Sequence, residues 1–231
     1  MNSMTSRARL AGVLYVVMGL LGWFSLMYIP GLFVVRGDAT ATARNIENGE
    51  LLFRFGILSQ VVSQVLFVFL VLLLYDLFKD VDRKQGKLMV ALVAISVAFE
   101  LVNCLNLIVP LILLSGADFL SVFSKPQLDA LAYVFLRLRN SGVNLVSILW
   151  GLWLLPLGIL VIKSGFIPRM LGWLLIVSCF AYVVGSITSI IAPDQMSVVS
   201  NFTLPLGGLG ELLIVLWLII KGAKVQSGHP V

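Results

Sequence analysis

Charged residues are scarce in this sequence. Asp, Glu, Lys and Arg make up 12% of its 231 residues, whereas 60% are hydrophobic and the mean hydropathy is +1.06. Soluble domains carry about 25% charged residues, and a chain with so few could not keep large apolar patches off a surface exposed to water. This balance excludes a soluble enzyme, a disordered regulator and a nucleic-acid-binding domain.

Histidine and cysteine are also nearly absent. The only histidine is His229, near the end of the chain, which excludes paired-histidine haem ligation, histidine-based zinc sites and a Ser-His dyad within a membrane. Cys104 and Cys179 lie inside apolar runs and are expected to be buried apolar side chains rather than a disulfide or a CxxC site. We therefore predict no cofactor and no metal site.

Long apolar segments are what the sequence does contain. A bilayer core about 30 Å thick requires roughly 20 apolar residues in a helix. Six segments meet this requirement and predict an all-α polytopic membrane bundle with helices at about 10–35, 54–78, 88–114, 140–162, 170–192 and 202–220. The fourth is hard to delimit, because Leu128–Leu138 is also apolar and a longer helix could start near Pro126. We expect one integral membrane domain over residues 1–231.

A short additional helix is expected between the first two segments. Asp38 is a suitable N-cap for the alanine- and threonine-rich run Ala39–Ala43. We expect this helix to lie on the outer membrane surface.

The basic residues indicate how the helices are oriented. With both termini in the cytoplasm, ten bases fall on the inner side: Arg7, Arg9, Lys79, Arg83, Lys84, Lys87, Lys163, Arg169, Lys221 and Lys224. Six fall on the outer side: Arg36, Arg44, Arg54, Lys125, Arg137 and Arg139. An excess of bases in cytoplasmic loops favours N-in and C-in. The net charge of +5 therefore reflects topology, with the lipid bilayer as partner and no nucleic acid.

Several short motifs occur in a fixed order from Arg9 to about Gly222. They are RLAGVLY at 9–15, ATARNI at 41–46, LFRFGI at 52–57, LYDL at 74–77, SGFIPR at 164–169, GEL at 210–212 and LWL at 216–218. In these motifs the chain resembles a bacterial multi-pass membrane family catalogued only as a domain of unknown function. The resemblance implies a polytopic fold and a membrane location without a substrate. It also implies a histidine after the Arg137–Leu138 pair, where this chain has Arg139.

Ionisable residues inside the predicted helices are the main candidates for function, because they are costly in a bilayer and usually face a bundle interior or a water cavity. Glu100 lies 13 residues after Lys87, and Asn103 and Asn106 share its helical stripe. Glu211 follows a glycine-rich run in the sixth segment. The alternative interpretation is that these polar groups only hold helices together.

The remaining polar candidates are Arg54, Gln60 and Gln64 in the second segment, and Arg137, Arg139 and Asn144 near the start of the fourth. With the two glutamates they could line an outward-facing polar cavity, arginines at its mouth and glutamates deeper. Alternatively, the arginines extend to lipid headgroup phosphates. For Arg54 both alternatives stay open, and for Arg139 considered alone the headgroup position is favoured.

The sequence thus favours a non-enzymatic protein of the bacterial inner (plasma) membrane that binds or passes a small polar solute, ion or lipid headgroup. The alternative is a structural or signalling partner whose buried polar residues hold helices or an oligomer together. A lipid-modifying enzyme is least favoured, since the sequence offers isolated acids and arginines without a nucleophile or a metal cluster.

Overall fold

The computed structural model describes residues 3–223, so Lys224 and His229 lie outside the described residues. The chain is 87% helical, and no β-strand occurs within that range. Six helical segments in it are long and apolar enough to cross a membrane. These findings confirm the predicted all-α fold with six membrane-spanning helices.

Ten α-helices make up the described part of the chain. They are α1 Ser3–Trp23, α2 Ile29–Phe33, α3 Ala39–Asn48, α4 Glu50–Phe78, α5 Arg83–Asn103, α6 Leu105–Leu113, α7 Lys125–Leu152, α8 Leu154–Ser164, α9 Arg169–Ile191 and α10 Met196–Ile220. The first span runs through α1, a π-helical segment at Phe24–Tyr28, and α2. The third span joins α5 to α6, and the fourth joins α7 to α8.

Prolines account for two of the interruptions within spans. Pro30 cannot donate a backbone hydrogen bond, and the π-helical segment lies directly before α2. Pro156 likewise cannot bond to the carbonyl of Leu152, and α7 ends at that residue. The first and fourth spans therefore continue past these points, although their helical hydrogen-bond pattern is interrupted there.

The fourth span begins well before the predicted residue 140. Ser124 and Gln127 form a capping arrangement, in which the Ser124 backbone N–H donates to Gln127 Oε1 at 2.8 Å. With this cap, α7 starts at Lys125, and the whole span Lys125–Ser164 is 40 residues long. The apolar run noted at Leu128–Leu138 is thus part of the same helix.

The short helix expected after Asp38 is present as α3. Asp38 Oδ1 accepts a hydrogen bond from the backbone N–H of Ala41 at 2.8 Å, which is the expected N-cap contact. Its buried residues Thr42, Ala43 and Ile46 lie on one side of the helix. Whether α3 rests on a membrane surface stays a prediction.

The described helices sort into two compact units. Among the described residues, the first unit contains 3–17, 66–97 and 144–223, and the second contains 18–65 and 98–143. The core of the second unit consists of Ile29, Phe33, Ile46, Phe53, Leu111 and Leu136. The expectation of a single domain stays a prediction.

Glycines set the close packing of α9 in the first unit. α9 packs against α8 and α10. A Cβ added to Gly158 of α8 would lie 2.7 Å from the carbonyl oxygen of Gly172 in α9, and one added to Gly172 would lie 2.6 Å from that of Gly158. Small residues permit such approaches between membrane helices.

Asp82 forms the start of α5 in the same unit. Its Oδ1 accepts hydrogen bonds from the backbone N–H groups of Lys84 and Gln85, and its Oδ2 accepts one from Lys163 Nζ at 2.7 Å. The Lys163 hydrogen bond, followed by that of Gln85, lowers the pKa of Asp82 below its ordinary value. The carboxylate thus links the α4–α5 connection to the end of α8.

Gly158→Ala tests the contact between α8 and α9. Because the new methyl group would meet backbone rather than a movable side chain, we expect the free energy of unfolding to fall by about 1–3 kcal/mol. The matched control is Gly208→Ala in α10, where nothing lies within 4 Å of an added Cβ. Thermal unfolding in detergent should show a lower midpoint for the first variant alone, and equal midpoints would contradict the close approach.

Candidate functional site

The second unit contains a buried ion pair. Glu100 of α5 has 0% exposure, and Arg139 of α7 has 6%. The two guanidinium nitrogens face the two carboxylate oxygens, with Nη2 2.5 Å from Oε1 and Nη1 3.4 Å from Oε2. Since the two charges cancel at contact distance, neither is left alone in apolar surroundings.

Gln60 of α4 adds a hydrogen bond to this pair. Its Nε2 donates to Glu100 Oε1 at 2.7 Å. Because a carboxylate can only accept, the amide nitrogen must point at Glu100 and the amide oxygen must point away. Three helices, α4, α5 and α7, therefore meet at one carboxylate.

The two asparagines extend the cluster along α5. Asn103 Nδ2 donates to Glu100 Oε2 at 3.4 Å and to the backbone oxygen of Arg139 at 3.2 Å. Asn106 Nδ2 donates to Asn103 Oδ1 at 3.0 Å. α7 can come this close because residue 142 is glycine, and a Cβ there would overlap the Asn103 side chain. The polar stripe predicted for this span is thus a series of side chains linked by hydrogen bonds, from Glu100 through Asn103 to Asn106.

Two buried acceptor atoms lie at the α4 side of the cluster. Gln60 Oε1 and Gln64 Oε1 have no hydrogen-bond partner within the described residues. Both side chains are buried, and their positions are one helical turn apart on the same face of α4. A buried acceptor without a partner costs about 1–3 kcal/mol, so this face is suited to a molecule that donates hydrogen bonds.

Glu211 belongs to a separate cluster in the first unit. It lies on α10 and accepts hydrogen bonds from Tyr15 Oη of α1 and, at 2.8 Å, from Tyr182 Oη of α9. The Tyr15 ring is buried and packs against Trp153, with 6.0 Å between ring centroids. Each carboxyl oxygen therefore has one phenol donor, and the wall behind Tyr15 is aromatic.

The Glu211 cluster depends on a glycine next to it. A Cβ on Gly210 would lie 2.5 Å from Ser178 Oγ and 2.8 Å from the carbonyl oxygen of Leu174. Glycine at 210 therefore allows α10 to approach α9 closely enough for Tyr182 to reach the carboxyl group.

The structure brings only some of the predicted candidates together. The first cluster consists of Glu100, Asn103, Asn106, Gln60 and Arg139. Gln64 lies one helical turn from Gln60. Glu211 forms its hydrogen bonds within the other unit. The headgroup position favoured for Arg139 is wrong. With the fourth helix starting at Lys125, residue 139 falls in the interior of that helix, and the side chain is buried against Glu100 instead of being free to extend to headgroup phosphates.

The other three candidates lie apart from these contacts. Arg54 is 56% exposed and pairs with Glu50 at 2.7 Å, Arg137 is exposed, and Asn144 is partly buried. Arg54 and Ser115 are the polar residues of a groove of about 470 Å³ whose remaining lining is apolar: Ile57, Leu58, Val61, Ile108, Leu111 and Ile112. This groove differs from the polar cavity expected around the glutamates.

Tyr15 and Tyr182 were missed as candidate residues. Both lie inside long apolar spans, where a buried phenol hydroxyl requires a hydrogen-bond partner. That requirement was a usable signal, but the sequence does not show which acceptor each hydroxyl reaches.

Arg139→Leu tests the buried ion pair. It leaves Glu100 charged, buried and unpaired, and we expect the free energy of unfolding to fall by about 3–5 kcal/mol. Replacing Glu100 by leucine as well should restore much of the loss, because no unpaired charge remains. The control, Arg137→Leu, changes an exposed arginine two residues away and should stay within about 0.5 kcal/mol of the native protein. Similar unfolding curves in detergent for the two single variants would refute the pairing.

Comparisons with known proteins place the chain in a family. A family model described as "Domain of unknown function (DUF4386)" matches residues 10–222. The chain is also similar to an uncharacterized protein of Archaeoglobus fulgidus, at 32% identity over 90 residues. That match covers 38% of this chain and 50% of the relative, so the chain spans half the relative's length. No solved structure matches. The chain therefore belongs to the DUF4386 family, which confirms the resemblance to an uncharacterised family.

Proposed function

We propose that this protein binds a small polar solute at the polar cluster of its second unit and holds or passes it within the membrane. The observation that carries the proposal is the pair of buried acceptor oxygens, Gln60 Oε1 and Gln64 Oε1, next to a carboxylate that is already neutralised. A membrane interior offers these oxygens no water. A solute with N–H or O–H groups would satisfy both.

The charge balance of the cluster narrows the class of solute. Glu100 and Arg139 contribute opposite unit charges in contact, so a bound ion would add an unbalanced charge to a buried site. A neutral molecule that donates hydrogen bonds, such as an amide, a urea or a polyol, avoids that cost. A lipid headgroup with hydroxyl groups has the same donor chemistry.

Gln64→Leu is the sharpest test of this proposal, because it removes one acceptor and leaves the ion pair intact. We expect acetamide or a small polyol, at concentrations too low to act as a denaturant or an osmolyte, to raise the thermal midpoint of the native protein in detergent, and this shift to disappear in the variant. Gln85→Leu makes the same chemical change outside the cluster and should keep the shift. If both variants keep the shift, or if both lose it, a solute site at Gln64 is contradicted.

A structural role is the second candidate, and the complete burial of Glu100 among three helices favours it. Here the polar cluster holds α4, α5 and α7 together. Glu100→Gln should then lower the thermal midpoint by the same amount with and without solute. Gln64→Leu should leave stability unchanged or raise it, since it removes an unpaired acceptor.

We also propose the N-in and C-in orientation in a bacterial inner membrane, supported by the ten-to-six distribution of bases. Single cysteines test it in a chain whose Cys104 and Cys179 are replaced by serine. Ser121→Cys, between α6 and α7, should react with a membrane-impermeant maleimide on intact cells. Asp80→Cys, between α4 and α5, should react only after lysis. The opposite labelling would establish the reverse orientation.

A further inference from the structure

The two glutamates inside the spans differ in how their charge is balanced. Glu100 contacts a guanidinium group, whereas the ion pairs found among the described residues do not include Glu211. Phenol hydroxyls donate hydrogen bonds but carry no positive charge. An ionised carboxylate without a cation is costly inside a bilayer. Glu211 therefore requires a positive charge that no ion pair among the described residues supplies.

Within residues 3–223, the titratable groups that contact Glu211 are the two phenols. Tyr15 reaches it from α1 and Tyr182 from α9. The basic residue of α1 that contacts α10 is Arg9, whose Nη2 lies 3.5 Å from the backbone oxygen of Ile220. Ile220 is nine residues beyond Glu211, about 13 Å farther along the helix at its usual rise. This arginine contact is therefore remote from the carboxyl group.

A proton fits this position better than a metal cation. A metal cation needs a shell of oxygen ligands, and no group of three or more His, Cys, Asp or Glu side chains suited to a metal occurs among the residues described. Tyr15 is also packed against the Trp153 ring, which offers no ligand. A proton needs no ligand shell and neutralises the carboxyl group directly.

From this geometry we infer that Glu211, Tyr15 and Tyr182 form an exchangeable proton-binding site inside the membrane-spanning part of the chain. In the loaded state Glu211 is a neutral carboxylic acid. On release, its O–H bond breaks, the proton passes to water, and the electron pair stays on the carboxylate. Tyr15 and Tyr182 then each donate a hydrogen bond to one carboxylate oxygen, which stabilises the unloaded state.

Glu100 and Glu211 differ in exposure, which is consistent with proton exchange at Glu211 alone. Glu100 has 0% exposure, whereas Glu211 is partly exposed at its position on α10. A change of charge at Glu100 would also break an ion pair, whereas the ion pairs of the described residues do not involve Glu211. This site uses none of the residues of the proposed solute site, so either proposal can fail without the other.

Infrared spectroscopy of the full chain in phosphatidylglycerol vesicles tests the inference directly. A protonated carboxyl group has a C=O stretching band that a carboxylate lacks, and this band should disappear on raising the pH. Glu211→Gln should remove one such band, equivalent to one carboxyl group per chain. Glu50→Gln changes an exposed glutamate and should leave the band intact.

The phenols provide a second readout if Glu211→Gln fails to fold. Tyr15→Phe and Tyr182→Phe each remove a hydrogen bond to one carboxyl oxygen, so the band should move to higher frequency in the variant whose phenol bonds to the C=O oxygen. Tyr133→Phe, outside the cluster, should not move it. A purely structural role for the tyrosines would change stability without moving the band.

Three results would overturn the inference. The first is a titrating band whose intensity is not reduced in Glu211→Gln. The second is a band whose frequency is unchanged in both tyrosine variants. The third is a thermal midpoint that rises with sodium or potassium concentration in the native chain but not in Glu211→Gln. That result would assign the missing charge to a metal cation instead of a proton.

Discussion

The contact between Glu100 and Arg139 is the interaction on which the polar part of the second unit depends. A bilayer supplies neither water nor counterions to a buried carboxylate, so the guanidinium must come from the protein. Once it is in place, Gln60 is oriented with its nitrogen toward the carboxylate, and Asn103 bridges to the backbone of α7. The unpartnered acceptor oxygen of Gln60 follows from this orientation, because the amide nitrogen is the end that faces Glu100.

The spans were predictable from the sequence because membrane insertion depends on the length and hydropathy of a segment. Both can be read from consecutive residues without knowledge of the tertiary structure. The same holds for α3, whose N-cap Asp38 lies next to the helix it starts. The α5 stripe was also predictable, since Glu100, Asn103 and Asn106 are spaced at one helical turn. These features share one property: each is set within a few residues of chain.

The position of Arg139 could not be predicted from neighbouring residues alone. Placing the start of the fourth helix at residue 140 put Arg139 at a membrane surface, whereas a start at Lys125 puts it 14 residues into the helix. Its partner is 39 residues away in sequence, and no periodicity within α7 identifies it. Tyr15 and Glu211 are separated by 196 residues, so their contact depends on how α1 and α10 pack. Distant pairs of this kind are decided by tertiary packing rather than by pattern.

The fourth span is long enough to carry residues of two different ion pairs on one helix. Its 40 residues correspond to about 60 Å of helix, twice the roughly 30 Å of a hydrocarbon core. At its first residue, Lys125 contacts Glu47 of α3 at 2.5 Å, and Arg139 lies on the same uninterrupted helix α7. One helix therefore joins the exposed pair of Lys125 and Glu47 to the buried pair of Arg139 and Glu100.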